Sequence, residues 1–391
     1  MTAAKAKETV LIIGGTGQIG TQVTVQEIAA GKDVQVFGRS LPSSEKLDFI
    51  NDSDNGYYTQ VDVSGDQQRL AALIKQVNPS KIYFMAEPFP MKPDDVAKAT
   101  TQMENFYNML QNVVGFKGPV VVIGTAGIEA SGPDFPLTTF SASDDRTLSQ
   151  LPYFQARRQM ATICRKYATQ GLDIRRVALP WVVSGDAHHG DLESLPNFTS
   201  GSMGGFGLPD MPMDVISGEE AARAIRFVAD KGQKGWTYQA SGIPDMKMSS
   251  VIQAELSEIG GGRLKVTPSS YSTLLSQASL FVNFIKMKKA AEKNPFLIGL
   301  NALWEIGARA QFNIKAGLTI NEAQMRTATA CALSAVLPSH ADMSALIKLG
   351  FKPTAEATQE SQVFAEARKL ARLLLKDGVV KRPTPPAGPR Y

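Results

Sequence analysis

Val10-Leu11-Ile12-Ile13-Gly14-Gly15-Thr16-Gly17-Gln18-Ile19-Gly20 decides how the rest of this 391-residue chain reads. An apolar run stops at glycines 14, 17 and 20, and a helix-patterned segment covers 17–30. Strand, tight glycine turn and helix N-terminus in succession make a cradle for phosphate. The first two glycines let backbone N–H groups approach the anion, and the third lets helix and strand pack closely. Unpaired amides and the positive end of the helix dipole add attraction. Gly14, Thr16, Gly17, Gln18, Ile19 and Gly20 are therefore the candidates to hold the pyrophosphate of a dinucleotide.

Strand-type runs at 34–37, 57–61, 81–85, 120–123 and 173–178 alternate with helix-patterned runs at 66–77, 94–114 and 154–170. Near-continuous apolar strands separated by helices predict an α/β fold: a Rossmann-type doubly wound parallel sheet whose strand carboxyl ends share one ligand-binding edge. We assign residues 1–185 to this dinucleotide-binding domain, with 214–241 completing its sheet. Residues 186–380 form a smaller, mostly helical substrate-binding region, and 381–391 a Pro-rich tail without regular structure. Within that region, 195–212 is rich in Gly, Pro, Ser and Met and reads as a long functional loop. Helices at 218–231 and 248–259, strands at 236–240 and 264–266, and a mostly helical stretch at 272–337 complete the reading.

Charged residues are 20% of the chain and hydrophobic ones 43%, an ordinary composition for a water-soluble protein. The net charge of +4 is too small to argue for nucleic acid. Residues 242–391 hold 19 Lys and Arg against 11 Asp and Glu, a net +8, which leaves −4 for 1–241. The apolar run 295–309 is too short, and too interrupted by Glu305 and Arg309, to span a bilayer. It reads as a helix over an apolar pocket, with peripheral membrane contact as the other reading. Cys164 and Cys331 lie in helix-like sequence without metal-ligand spacing, and the N-terminus has no signal-peptide pattern. Free thiols in a cytoplasmic protein follow. His188-His189 has no accompanying Cys or Glu-x-x-His partner, so no metal site is expected.

After the second strand, residues 37–42 contain no acid, and Arg39 stands where a carboxylate would bind a ribose diol. A guanidinium suits a 2′-phosphate, so NADP is the expected cofactor, with NAD the alternative.

The spacing Gly-x-x-Gly-x-x-Gly resembles the short-chain dehydrogenase/reductase superfamily. Thr125 at the end of the fifth strand, with Tyr153-Phe-Gln-Ala-Arg157 beginning 28 residues on, is similar to the catalytic arrangement of its extended, NAD-dependent epimerase/dehydratase type. The run from Tyr167 to Gly185, with Pro180-Trp181-Val182, strengthens that likeness. Leu318 to Arg326 and Asp342 to Pro353 resemble the 3β-hydroxysteroid dehydrogenase, dihydroflavonol reductase and hopanoid-associated epimerase branch.

The resemblance implies that Tyr153 is the general acid or base, Thr125 orients the substrate oxygen, and the residue at 157 binds ribose. Arg157 stands where the family has lysine; it keeps the charge but is larger and cannot relay a proton. The resemblance further implies that Asp62 and Val63 contact adenine, that Met85 and Ala86 line the pyrophosphate and ribose, and that Pro180 and Val182 lie by the nicotinamide. Glu87, unusual at its position, Ala126 and Trp181 then face substrate.

The expected function is an NADP-dependent ketoreductase or secondary alcohol dehydrogenase for a bulky, largely apolar small molecule. Two alternatives stay open: a nucleotide-sugar epimerase or dehydratase with tightly bound NAD, and a non-catalytic cofactor-binding regulator or assembly subunit. The first needs cations for a diphosphate, for which Arg223, Arg226 and Arg263 are the candidates. The resemblance also implies a homodimer through the helices at 94–114 and 153–170.

Overall fold

The computed structural model describes residues 7–88, 90, 93–138, 152–186, 208–209, 212–260, 268–269 and 341–377. The expected elements at 264–266 and 272–337, both adjacent histidines, Cys331, Arg263, the run 295–309 and the tail lie outside these residues, as does most of the loop at 195–212.

Eight strands form the main sheet: β1 (Thr9–Ile13), β2 (Asp33–Gly38), β3 (Gly56–Gln60), β4 (Lys81–Phe84), β5 (Pro119–Thr125), β6 (Gly132–Pro133), β7 (Asp173–Leu179) and β11 (Trp236–Gln239). Their order is β3-β2-β1-β4-β5-β7-β11-β6, parallel except for the short β6 at the edge. Register is fixed by pairs such as Ile12 with Val36 on one side and with Tyr83 on the other.

The central strands are apolar on both faces because helices cover both. On one face Val10, Ile12, Val34, Val121 and Val177 pack on Val23 of α1 (Gln18–Ala29) and on Ile225 and Val228 of α6 (Gly218–Lys231). On the other, Leu11, Ile13, Phe84 and Val122 meet Leu70 of α3 (Gln67–Val77), Phe106 of α4 (Pro93–Asn108) and Met160 of α5 (Pro152–Thr169). Each such fully buried side chain contributes roughly 1.5–3 kcal/mol. The end of α4 continues as a π-helical segment, Met109–Val114, closed by Gly115 in the left-handed region.

A second layer stands beyond the carboxyl edge. β8 (Trp181–Val183), β10 (Pro212–Ser217) and β12 (Ile243–Lys247) make a three-stranded sheet. With α7 (Met248–Gly260) and α9 (Glu356–Lys376) it encloses its own core of Val183, Val215, Ile252, Leu256, Val363, Leu370 and Leu374. β9 (Leu208–Pro209) pairs with β13 (Pro268–Ser269), and α8 (Ser344–Lys348) precedes α9. Thus of the span 214–241, the strand at 236–239 joins the large sheet, while residues 212–217 belong to the small one. The helix α2 (Ser44–Asn51), between β2 and β3, and the helix α9 are additions to the sequence reading.

Candidate active site

Among the described residues, side chains cap the starts of α3 and α6. The Asp66 carboxylate accepts from the Gln68 and Arg69 amides at α3, and Ser217 accepts from the Glu220 amide at α6. Helix α1 starts on Gly17, with no side chain capping it. Its first-turn amides are thus left for another acceptor, as an anion site needs.

The glycine geometry explains why positions 14 and 20 carry no side chain. Gly14 sits at φ +80, its amide donates to the Phe37 carbonyl at 2.7 Å, and a Cβ on it would lie 2.9 Å from the Ala86 nitrogen. A Cβ on Gly20 would come within 2.1 Å of the Gly14 oxygen, so helix and strand could not approach this closely with any other residue. Gly17 has only that oxygen near its missing Cβ, at 3.3 Å, which leaves its open side for a ligand. The loop therefore touches the Met85–Ala86 turn directly. On its other flank the Gln18 side chain donates to the Val182 carbonyl at 3.1 Å and the Ser184 hydroxyl to the Gln18 carbonyl at 3.1 Å, which brings the buried Pro180 and the Val182 strand alongside.

At the far end, Arg39 is exposed after β2, and Asp62 is exposed after β3. The Ser64 hydroxyl and amide donate to the Asp62 carboxylate at 2.7 and 2.9 Å; with a smaller contribution from Arg39, they hold that carboxyl below its ordinary value. Val63 beside it is buried. A bare helix N-terminus, a glycine cradle that a Cβ would fill, and a basic residue at the second strand's end together fit a dinucleotide. Gly14, Thr16, Gly17, Gln18, Ile19, Gly20, Arg39, Asp62, Val63, Met85, Ala86, Pro180 and Val182 all follow the carboxyl ends of the parallel strands β1, β2, β3, β4 and β7.

The second centre lies where β5 ends and α5 begins. The hydroxyls of Thr125 and Tyr153 are 2.7 Å apart, and both residues are at most 7% exposed. Arg157, one helical turn after Tyr153, has its guanidinium carbon 5.0 Å from the centre of the phenol ring. It is ion-paired to Glu87, whose side chain is 3% exposed, and its Nη1 also donates to the Ile123 carbonyl at 3.5 Å. The second carboxylate oxygen of Glu87 lies 3.4 Å from Arg176 Nη1. Arg176 in turn donates from Nε and Nη2 to both oxygens of Glu129, at 2.6 and 2.7 Å, and its remaining contacts are the Ile123 carbonyl and Cys164 Sγ.

Two arginines and two carboxylates thus form a neutral quartet under Tyr153, with Arg176 and Glu129 fully inaccessible. Burial, and then the Arg176 charge, pull the Arg157 pKa down to about 9. Glu129 lies outside every motif read from the sequence, and Arg176 lies within the run from Tyr167 to Gly185 without a role of its own there; both side chains are part of the foundation of the site. Glu87, placed among substrate contacts by the sequence, turns its carboxylate inward to the arginines. Arg157 keeps one buried donor, Nε, without a hydrogen-bond partner among the described residues.

Trp181 is buried at 9% in the same apolar cluster as Tyr153, and Ala126 follows Thr125 with 5% exposure. Gln239 of β11 fixes that turn by donating to the Ala126 and Glu129 carbonyls at 2.8 and 2.7 Å. Arg223 and Arg226 serve elsewhere. Arg223 pairs with Glu220 and reaches the Lys352 carbonyl, while Arg226 donates to Glu27 at 2.9 Å. The outward positions of α4 and α5, including Lys98, Thr101, Asn105, Gln159, Thr162 and Arg165, are polar apart from Ala97. Among the described residues no cluster suits a metal ion and no helix is long and apolar enough to cross a membrane.

A parallel sheet in this order, with a glycine cradle and a hydroxyl pair at its carboxyl edge, defines an extended short-chain dehydrogenase/reductase fold. Residues 10–198 of the chain match the family described as NAD dependent epimerase/dehydratase, whose members are enzymes using a nicotinamide dinucleotide. Solved structures agree at the level of fold. UDP-N-acetylglucosamine 4-epimerase from Methanobrevibacter ruminantium, in complex with UDP-N-acetylmuramic acid, is 15% identical with a TM-score of 0.57, covering 95% of this chain and 100% of that one. The Bordetella bronchiseptica enzyme WbmH, in complex with NAD+, is 19% identical with a TM-score of 0.52, covering 68% and 86%. The protein gox2253 is 14% identical with a TM-score of 0.61, covering 96% and 100%. No curated protein matches the chain by sequence.

Proposed function

We propose that the chain is an NADP-dependent oxidoreductase that interconverts a ketone and a secondary alcohol in a bulky, largely apolar molecule. The observation that carries this reading is the 2.7 Å contact between Thr125 and Tyr153 at the carboxyl edge of the sheet. When bound, the nicotinamide dinucleotide supplies or accepts the hydride. The chain's own residues do the rest. The amides of the glycine loop and of the first turn of α1 hold the pyrophosphate, and Arg39 takes the 2′-phosphate. The two hydroxyls converge on one point, where a substrate oxygen accepts from both. Tyr153 gives that oxygen its proton in reduction and removes it in oxidation, general acid–base work of the kind that contributes roughly 10²–10⁴-fold. Ala126 and Trp181 form an apolar flank beside it.

A nucleotide-sugar substrate needs cations for its diphosphate, and two of the three candidate arginines, Arg223 and Arg226 of α6, are held in ion pairs with Glu220 and with Glu27 of α1. This supports the apolar-ketone reading over the epimerase one. The test begins with thermal shift. NADP+ is expected to raise the melting temperature and NAD+ to do so far less, whereas an equal shift from both removes the role given to Arg39. NADPH oxidation against a panel of bulky ketones then reads the reaction, and cofactor binding without turnover on any ketone contradicts the assignment.

A further inference from the structure

We propose that Glu87 is a positioning residue: its carboxylate bridges Arg157 and Arg176, seats the Arg157 guanidinium against the Tyr153 ring and balances its charge, so that Tyr153 works beside a neutral pair. The two departures from the family pattern, at 87 and at 157, are then one device. Seventy positions of sequence separate them, yet the fold brings the carboxylate at the end of β4 onto the guanidinium from α5.

The geometry leaves Glu87 little else to do. Its side chain is 3% exposed, and its charge partners are the two arginines. Arg157 would otherwise be a buried cation beside a second one, Arg176, whose own charge is already matched through two bonds to Glu129. An uncompensated buried charge is strongly disfavoured, and a free cation against the phenol would favour phenolate. Among the described residues, the charged groups around Tyr153 are Arg157 on its own helix, Glu87 after β4, Arg176 on β7 and Glu129 after β5; Thr125 on β5 is uncharged. Removing Glu87 alone shifts this balance by one positive charge. Removing the charges at both 87 and 157 leaves it unchanged.

This inference rests on Tyr153 being the proton-carrying residue proposed above. Its test reads the tyrosine itself, in protein free of cofactor and substrate, so the two ideas can fail separately. Phenolate absorbance is titrated for each protein with and without Tyr153→Phe, and the difference is the titration of Tyr153. Glu87→Gln is expected to lower the midpoint by about one pH unit or more. Arg157→Met is expected to raise it. The double variant Glu87→Gln/Arg157→Met returns it to the parent value, and Glu87→Asp, which restores the carboxylate, lies nearer the parent than Glu87→Gln does. A midpoint that does not move in Glu87→Gln overturns the proposal. If that variant fails to fold, the double variant is compared with Arg157→Met, and equal midpoints overturn it instead. A ketone panel that finds no turnover in the parent contradicts the proposed function while leaving these shifts in place.

Discussion

The glycine loop and the Tyr153 centre sit on the same sheet edge and are built in opposite ways. The loop is backbone: what matters at Gly14 and Gly20 is the absence of atoms, since a Cβ would collide at 2.9 and 2.1 Å. The Tyr153 centre is side chains held by charge, with Arg157, Arg176, Glu87 and Glu129 closing on one another. The first region should tolerate changes of charge nearby and reject an added methyl. The second should tolerate a balanced loss of two charges and reject the loss of one.

The largest effect expected is at Arg176. Arg176→Met leaves Glu129 buried without its cation, which costs about 3–5 kcal/mol. Adding Glu129→Gln should recover much of the loss in urea denaturation. If the double variant is no better than the single, the second region is held by shape and the contrast fails. Next comes Gly20→Ala, where the forced separation of helix and strand costs about 1–3 kcal/mol. It should also weaken NADP+ binding, read by fluorescence titration; an unchanged melting temperature and affinity would show that the loop has slack. Arg39→Ala should lower NADP+ affinity about tenfold, or roughly 1.4 kcal/mol, with NAD+ little affected.

The smallest effect is expected at the opposite edge of the sheet, at Glu8. Burial would raise its carboxyl, but hydrogen bonds from Lys32, Lys81 and Ser80 overcome this and lower it from 4.5 to about 2. A folded-state value below the unfolded one contributes stability above the unfolded value, and that contribution is lost as pH falls through the folded one. Between about pH 5 and 2 the parent should therefore lose more stability than Glu8→Gln, by a small margin because the group is partly exposed. Parallel acid-melting curves would remove Glu8 from the account.

The parts legible in sequence were those with local causes. Strand β1 forms where an apolar run meets the glycine turn, and helix α6 keeps its expected span because Ser217 caps a segment with Glu219 and Glu220 in its first turn. Helix α2 carried a readable signal, Ser43 before Glu45, but its short apolar pattern gave little periodicity. Helix α9 carried more, with Val363, Ala367, Leu370, Ala371 and Leu374 on one face. The small sheet was not readable. It joins residues near 182, 215 and 245 across long separations, and no local pattern specifies such pairing. Likewise Thr125 and Tyr153 were visible as types at a spacing. The partners that decide how Arg157 sits, Glu87 and Arg176, come together only through the parallel order of β4, β5 and β7.

The most direct measurement is NADPH oxidation with bulky ketones by the parent and by Tyr153→Phe, alongside NADP+ affinity for each. The account predicts ketone-dependent turnover by the parent, a loss of about 10²-fold or more in the variant, and NADP+ affinity changed little between them. Equal turnover by the two proteins would contradict it.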